Sequence, residues 1–309
     1  MRIGIGASSF AQEDPAPLRL LEAAGVTVVP NPYRRRMTEP EIMGYLVGDR
    51  LDGLLAGLEP LNRRVLEAAR GSLKALARIG IGMANVDQEA AREMGIKVSS
   101  TPDGPTEAVA EATLAALLCL LRNLEPMNRA LHQGEWPKSI GRSLAETTVL
   151  VVGFGRIGRR VAATLSSLGA RILVCDPHLP ADADGGGFPT VTLEQGLSVA
   201  DAVTLHANGE KVILGREELA RLPQGALILN SARGGLVDET ALVEALESGR
   251  VGKAWLDAFW EEPYRGPLLK YPQVLLTPHA ATYTRRCRLS METEAARNLL
   301  RDLGLPVVA

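Results

Sequence analysis

The stretch VVGFGRIGRR, Val151 to Arg160, decides the reading of this chain. Gly153, Gly155 and Gly158 give the spacing G-x-G-x-x-G, which alone is a weak signal. Its surroundings strengthen it. An apolar run, TTVLVV, leads in, and an amphipathic RIGRRVAATLSSLG follows. The next apolar run, RILVCD, ends on an acid, Asp176, about 20 residues further on. In such a strand–turn–helix unit the first glycine permits a tight turn. The second lets the backbone approach a pyrophosphate, and the third lets helix and strand pack closely, with the helix N-terminus facing the phosphates. Asp176 then accepts hydrogen bonds from ribose hydroxyls and repels a 2′-phosphate. Pro177 and His178 behind it offer no arginine to receive such a phosphate. The pattern predicts NAD (NADH) over NADP. A glycine turn in an unrelated α/β protein, with Asp176 as a surface acid or helix cap, explains less of it.

About half of the 309 residues precede this motif, and the length suits two domains better than one core. The first half alternates short apolar runs with amphipathic ones: RIGIG, PLRLLEAAG, VTVVP, TEPEIMGYL, DGLLAG, RRVLEAA, LKALARIG, VDQEAAREMG and IKVSS. Thr38, with Glu41 three residues later, reads as a capping box. Strands separated by helices in this way predict a parallel sheet covered on both faces. TEAVAEATLAALLCLLRNL, Thr106 to Leu124, predicts a long, mostly apolar helix, and EPMNRALHQGEW a second, more polar one. The series resumes after the glycine motif with strands at RILVCD, DAVTLH, ALILNSA, GKAWLDAF and QVLLTPH, then a long C-terminal helix. The expected class is α/β with two Rossmann-like domains, a flavodoxin-like one and a doubly wound parallel sheet that binds NAD.

Composition narrows the function classes. Net charge is −2, with 34 basic and 36 acidic residues and no dominant basic block, so nucleic acid is not an expected partner. The longest apolar run, near Thr113 to Leu121, is too short to span a bilayer, and MRIGIGASSF enters a strand pattern without the features of a signal peptide. Three widely spaced cysteines, Cys119, Cys175 and Cys287, argue against a disulfide framework and against a cysteine-based metal site. A cytoplasmic, metal-free protein is the expectation.

Polar groups follow the later strands: Arg233 in NSARGG, Glu262 in LDAFWEEP and His279 in TPHAAT. In open parallel sheets ligands bind at the carboxyl ends of the strands. An arginine holds a carboxylate at two points and polarises a neighbouring carbonyl. A histidine exchanges a proton with an alcohol near neutrality, and a glutamate beside it favours the imidazolium. With a nicotinamide, this set describes hydride transfer at the carbon of a 2-hydroxy or 2-keto acid. Taken singly, each residue has an ordinary structural explanation: Arg233 could pair with Asp238, and Glu261 and Glu262 could form a solvated turn.

In RIGIGMANVD, TEAVAEATLAALL, VVGFGRIGRRVA with Asp176, NSARGGLVDE, LDAFWEEP and TPHAATYT, in that order, the chain resembles the D-isomer-specific 2-hydroxyacid dehydrogenases, in their phosphoglycerate dehydrogenase-like branch. The resemblance implies that Arg233 binds the substrate's carboxylate and keto oxygen, that His279 is the acid/base and that Glu262 is its partner. It implies cofactor contacts at Arg156, Ile157, Asp176, His206, Ala207, Ser231, Ala232, Asp257 and Ala281. Arg78 and the backbone of Ile81 and Gly82 fall to the substrate. It also implies a discontinuous substrate domain, 1–103 with 283–309, around an NAD-binding domain, 104–282, and a homodimer built through the arm LLRNLEPMNRALHQGEWP. A 2-hydroxy or 2-keto acid is the implied small-molecule partner, and the resemblance places Arg78 where it would hold a distal phosphate, phosphonate or carboxylate. Arg34 to Arg36, in the loop after the second strand, either join it there or form a solvated basic loop. Three departures stand out. Ala84-Asn85 replaces the usual Asp-Asn, the loop after His206 is short, and Trp255 and Trp260 stand where smaller or more polar residues are usual. The sequence ends at Ala309, where some phosphoglycerate dehydrogenases continue into a regulatory domain that is not expected here. An NAD-sensing, corepressor-like binding protein is the alternative from another class.

Overall fold

The computed structural model describes residues 1–179, 186–209 and 211–307. The chain divides into two compact units, Met1–Pro105 with Tyr283–Ala309, and Thr106–Thr282. In the first unit the strands are β1 (Arg2–Ile5), β2 (Thr27–Val29), β3 (Gly53–Ala56), β4 (Ala75–Arg78) and β5 (Lys97–Ser100). They form a parallel sheet in the order β2-β1-β3-β4-β5. Between them run α1 (Ala16–Ala23), α2 (Glu39–Gly48), α3 (Arg63–Ala68) and α4 (Gln88–Glu93). The expected capping box is formed at the start of α2, where the Glu41 carboxylate accepts the Thr38 N–H at 2.8 Å.

The second unit opens with α5 (Pro105–Leu121) and α6 (Leu124–His132). Then come β6 (Thr148–Val152), α7 (Arg156–Ser167), β7 (Arg171–Cys175), α8 (Leu193–Leu197), β8 (Ala202–Leu205), α9 (Arg216–Arg221), β9 (Ala226–Asn230), α10 (Glu239–Glu247), β10 (Val251–Leu256) and β11 (Val274–Leu276). These strands are also parallel, in the order β11-β10-β9-β8-β6-β7. A parallel bridge from Val174 to Thr190 adds a stub outside β7. The chain reverses direction across the sheet between β6 and β8, the kind of switch point at which open α/β sheets bind ligands. β6, β8 and β9 are buried along their whole length, which explains their near-continuous apolar sequences.

The last helix, α11 (Arg285–Asp302), returns to the first unit and packs on α1 and on the sheet. It buries Met291, Leu299 and Leu300, each at 1% exposure or less, and each would cost about 2–5 kcal/mol if truncated to alanine.

Several element ends differ from the sequence reading, and two of them have a clear local cause. The polar helix α6 stops at His132 and does not reach Trp136, because the chain turns through Gly134 at φ 80°. β9 stops at Asn230 rather than Ala232, because the Asn230 amide oxygen captures the Ala232 N–H at 3.0 Å and bends the chain away.

Candidate active site

The glycine turn is built as its spacing implies. Gly153, just after β6, has φ 90° and lies against the chain at His206 and Ala207: an added Cβ would fall 2.5 Å from the Ala207 nitrogen. A Cβ at Gly158 would fall 2.0 Å from the Gly153 carbonyl oxygen, so only glycine permits this approach of α7 to the turn. Gly155 has no neighbour within 4 Å of its missing side chain, and Arg156 beside it is exposed, which leaves the N-terminus of α7 open. Asp176 does more than the sequence suggested. One carboxylate oxygen accepts the Phe154 N–H at 2.7 Å and the other the His178 N–H at 2.9 Å, tying the glycine turn to the end of β7. His206 bonds Thr204 through Nε2 at 2.9 Å, and burial lowers its pKa to about 4, so it is uncharged at neutral pH. Ser231, next to Ala232 in the loop after β9, keeps a buried hydroxyl without a hydrogen-bond partner. An open helix N-terminus, an acid at the second strand end and an unsatisfied hydroxyl fit a dinucleotide.

Glu262 and His279 lie on two loops of the same unit and meet. His279 Nδ1 is 2.9 Å from Glu262 Oε1, and both side chains are partly exposed, at 29% and 25%. The same glutamate oxygen accepts the Phe259 N–H at 3.3 Å. His279 has φ 51°, a left-handed conformation that costs a non-glycine residue about 1–3 kcal/mol and persists only where neighbours enforce it. The neighbours are specific. The His279 N–H bonds the Thr277 carbonyl at 2.9 Å. Asp257, 1% exposed at the end of β10, accepts the N–H groups of Ala280 and Ala281 at 2.8 and 2.9 Å.

Arg233 follows β9, and its loop is stapled by fully buried Asn230, whose amide donates to the Arg233 carbonyl at 2.7 Å. The Arg233 side chain itself donates to the Ala232 carbonyl at 2.6 Å. Asp238 serves instead as the cap of α10, accepting the Ala241 N–H at 2.8 Å. Gly234 is required by contact: a Cβ there would lie 2.1 Å from the Phe259 carbonyl carbon, so the arginine loop runs directly against the glutamate loop. Trp260 reinforces this by donating its indole N–H to the Val237 carbonyl at 2.8 Å. The structure therefore joins Arg233, Glu262 and His279 through adjoining loops. Sequence reading missed Asn230 and Thr277, although both sit at strand ends inside the motifs that were singled out; Asn230 is fully buried, where a polar residue must have a partner, and Thr277 is half-buried.

The residues expected at the substrate lie in the other unit. Arg78 ends β4, folding its guanidinium back onto the Ile79 carbonyl, and Ile81 and Gly82 are half-buried in the loop that follows. Near them is a carboxylate that the sequence did not announce. Glu59 is 1% exposed, accepts the Gly57 N–H at 2.9 Å and occupies the space above Gly6 and Gly57. Burial raises its pKa, opposed in part by Arg78 and Arg36. Asn85 donates to the Gly57 and Glu59 carbonyls at 3.2 and 2.7 Å, so the Ala84-Asn85 departure keeps a pinned loop. Within the arginine run, Arg35 pairs with Glu41 at 2.6 Å and stacks on Tyr33, while Arg34 is exposed. Among the described residues, no cluster of three or more His, Cys, Asp or Glu side chains could hold a metal ion, and no helix is long and apolar enough to cross a membrane.

Residues 114–281 match the NAD-binding domain of the D-isomer specific 2-hydroxyacid dehydrogenases. The chain belongs to this family. It is 37% identical over 244 residues to the chloroplastic D-3-phosphoglycerate dehydrogenase 2 of Arabidopsis thaliana, covering 76% of this chain and 39% of that one. It is 34% identical over 252 residues to hydroxypyruvate reductase of Thermotoga maritima, covering 78% and 81%. The chain spans less than half the length of each phosphoglycerate dehydrogenase compared with it. A crystal structure of a Thermus thermophilus protein superposes over all of both chains with a TM-score of 0.87 at 33% identity. The similarity places the chain in the phosphoglycerate dehydrogenase-like branch of the family, with its NAD-binding domain.

Proposed function

We propose that the protein is an NAD(H)-dependent oxidoreductase that interconverts a D-2-hydroxy acid and its 2-keto acid. The observation that carries this reading is the 2.9 Å contact between His279 Nδ1 and Glu262. An ionised carboxylate only accepts, so Nδ1 carries the proton of that bond and Nε2 is left to work on a substrate. When bound, NAD exchanges a hydride with the substrate carbon. In the reducing direction His279 Nε2 delivers a proton to the keto oxygen, and in the oxidising direction it takes the proton back. Glu262 stabilises the imidazolium while Nε2 holds the proton and keeps the neutral ring oriented through the Nδ1–H bond once the proton has left. Arg233 grips the substrate carboxylate and polarises the carbonyl with the donors not spent on Ala232. Asp176, the open N-terminus of α7 and the Ser231 hydroxyl hold the dinucleotide.

The first unit supplies the substrate domain in this proposal, with Ile81 and Gly82 offering backbone donors. A distal anion on the substrate is the finer reading; Arg78 is its first candidate, and of the arginine run Arg35 is already paired with Glu41. The measurement is NADH consumption against a panel of 2-keto acids with and without distal phosphate or carboxylate. Turnover with the charged acids above pyruvate and glyoxylate supports both statements. Turnover only with short uncharged acids removes the anion site, and none with any acid removes the dehydrogenase.

The same reading includes a homodimer in the cytoplasm. α6 has no buried residue, and Leu124, Leu131, Trp136 and Ile140 are 51%, 54%, 79% and 99% exposed along the arm. An apolar stretch of this kind fits association with a second copy. All three cysteines are unpaired, as suits a reducing compartment. A single-chain mass by light scattering at micromolar concentration would contradict the dimer.

A further inference from the structure

The left-handed turn at His279 is held by a chain of hydrogen bonds that reaches beyond Asp257. The Trp255 indole N–H donates to Thr277 Oγ1 at 2.9 Å, and Thr277 Oγ1 donates to Asp257 Oδ1 at 2.6 Å. Asp257 then receives the N–H groups of Ala280 and Ala281, the two residues that follow His279. The direction of this chain is fixed by chemistry. An indole N–H can only donate and a carboxylate can only accept, so the single hydroxyl proton of Thr277 must point at Asp257. Trp255 is 2% exposed and packed in the core, so the first donor is immobile. The carboxylate is therefore set in place from three sides.

We propose that Trp255 and Thr277 are positioning residues for the reaction: through the Thr277 hydroxyl they orient Asp257, and through Asp257 they hold His279 in the conformation that presents it to Glu262 and substrate. The proposal rests on the dehydrogenase reading. It assigns a task to the unusual Trp255, whose indole locks a hydroxyl rotor that would otherwise be free to turn from the carboxylate. Neither residue touches the reacting atoms. Their effect is on how accurately the turn is placed, and misplacement of a reacting group by about 1 Å can cost on the order of 10²-fold in rate.

The test uses the full chain with Thr277→Val, Thr277→Ser and Trp255→Phe. Thr277→Val keeps the side-chain shape without the hydroxyl, Thr277→Ser restores the hydroxyl, and Trp255→Phe keeps an aromatic ring without its donor. In Thr277→Val kcat falls by about tenfold to a hundredfold, while KM for the keto acid changes by less than about threefold. Thr277→Ser recovers most of the loss, and Trp255→Phe shows a smaller fall of the same kind. A readout independent of turnover is amide and indole hydrogen exchange followed by NMR without cofactor. The amides of Ala280 and Ala281 exchange faster in both donor-removing variants, and the Trp255 indole proton loses protection in Thr277→Val. If Thr277→Val does not fold, Trp255→Phe and its exchange pattern carry the test. Wild-type kcat in Trp255→Phe, or unchanged protection of Ala280 and Ala281, overturns the proposal. A wild-type protein that turns over no keto acid, yet shows these exchange changes, overturns the enzymatic reading and leaves the relay standing.

Discussion

At the carboxyl ends of β9, β10 and β11, polar residues each serve the next loop: buried Asn230 staples Arg233, and buried Asp257 with half-buried Thr277 holds His279. At the ends of β1, β3 and β4, in the other parallel sheet, one buried carboxylate, Glu59, fills the space above two glycines. The sheets share one architecture, and their first five strands follow the same order outward from the central pair. The fold thus provides strand ends in both units, while the proton chemistry proposed above draws on the hydrogen-bond networks of the second. In the first unit Glu59 ties the β3 end through the Gly57 N–H, and no comparable relay of side chains leads on from it among the bonds described above.

Removing the working nitrogen is the most severe way to break this contrast. His279→Ala lowers kcat by about 10²–10⁴-fold, because a positioned acid/base is lost, while NADH binding measured by fluorescence stays near wild type. Turnover close to normal would place the acid/base elsewhere. Next in size is the cofactor end of the second unit. Asp176→Ala with Pro177→Arg weakens NADH binding by about tenfold or more, because charge-assisted bonds are lost, and moves preference toward NADPH. Wild-type protein that already prefers NADPH would refute the role given to Asp176.

The smallest effect is expected at Glu59. Burial raises its carboxyl above the ordinary value of 4.5, so the folded chain keeps the proton at a pH where the unfolded chain has released it. The folded state binds more protons in that window, and stability falls as pH climbs from the unfolded pKa to the folded one. Glu59→Gln removes this loss, so its melting temperature changes less with pH above about 4.5 than the wild type's does. Parallel curves would show that Glu59 has no pH-linked cost.

These predictions follow the line between what was legible in the sequence and what was not. The glycine turn was legible because close backbone contacts restrict what fits there, and the places of Asp176, Arg233, Glu262 and His279 just beyond strand ends were legible because the apolar runs mark those strands. Glu59 was not, since its burial depends on two glycines more than 50 residues and two residues away, Gly6 and Gly57. The relay from Trp255 was hidden for a related reason: its partners are 22 and 2 residues distant and meet only because β10 and β11 pair in register, Trp255 opposite Leu275. The arginine run was only partly legible: the pairing of Arg35 with Glu41, the acid that also caps the following helix, depends on how the loop folds back onto α2.

The return of α11 to the first unit has a consequence for how the protein is made. Residues 1–105 emerge early but cannot complete their core until 283–309 arrive, after the whole of 106–282. At about 5–20 residues per second, that interval lasts on the order of 10–40 s. The second unit is continuous and can close first. Throughout this time the face of the first sheet later covered by Met291, Leu299 and Leu300 stands open, and the nascent chain carries an unfinished domain tethered ahead of a finished one. A ribosome stalled before Tyr283 should therefore display a protease-resistant second unit and a protease-sensitive N-terminal segment.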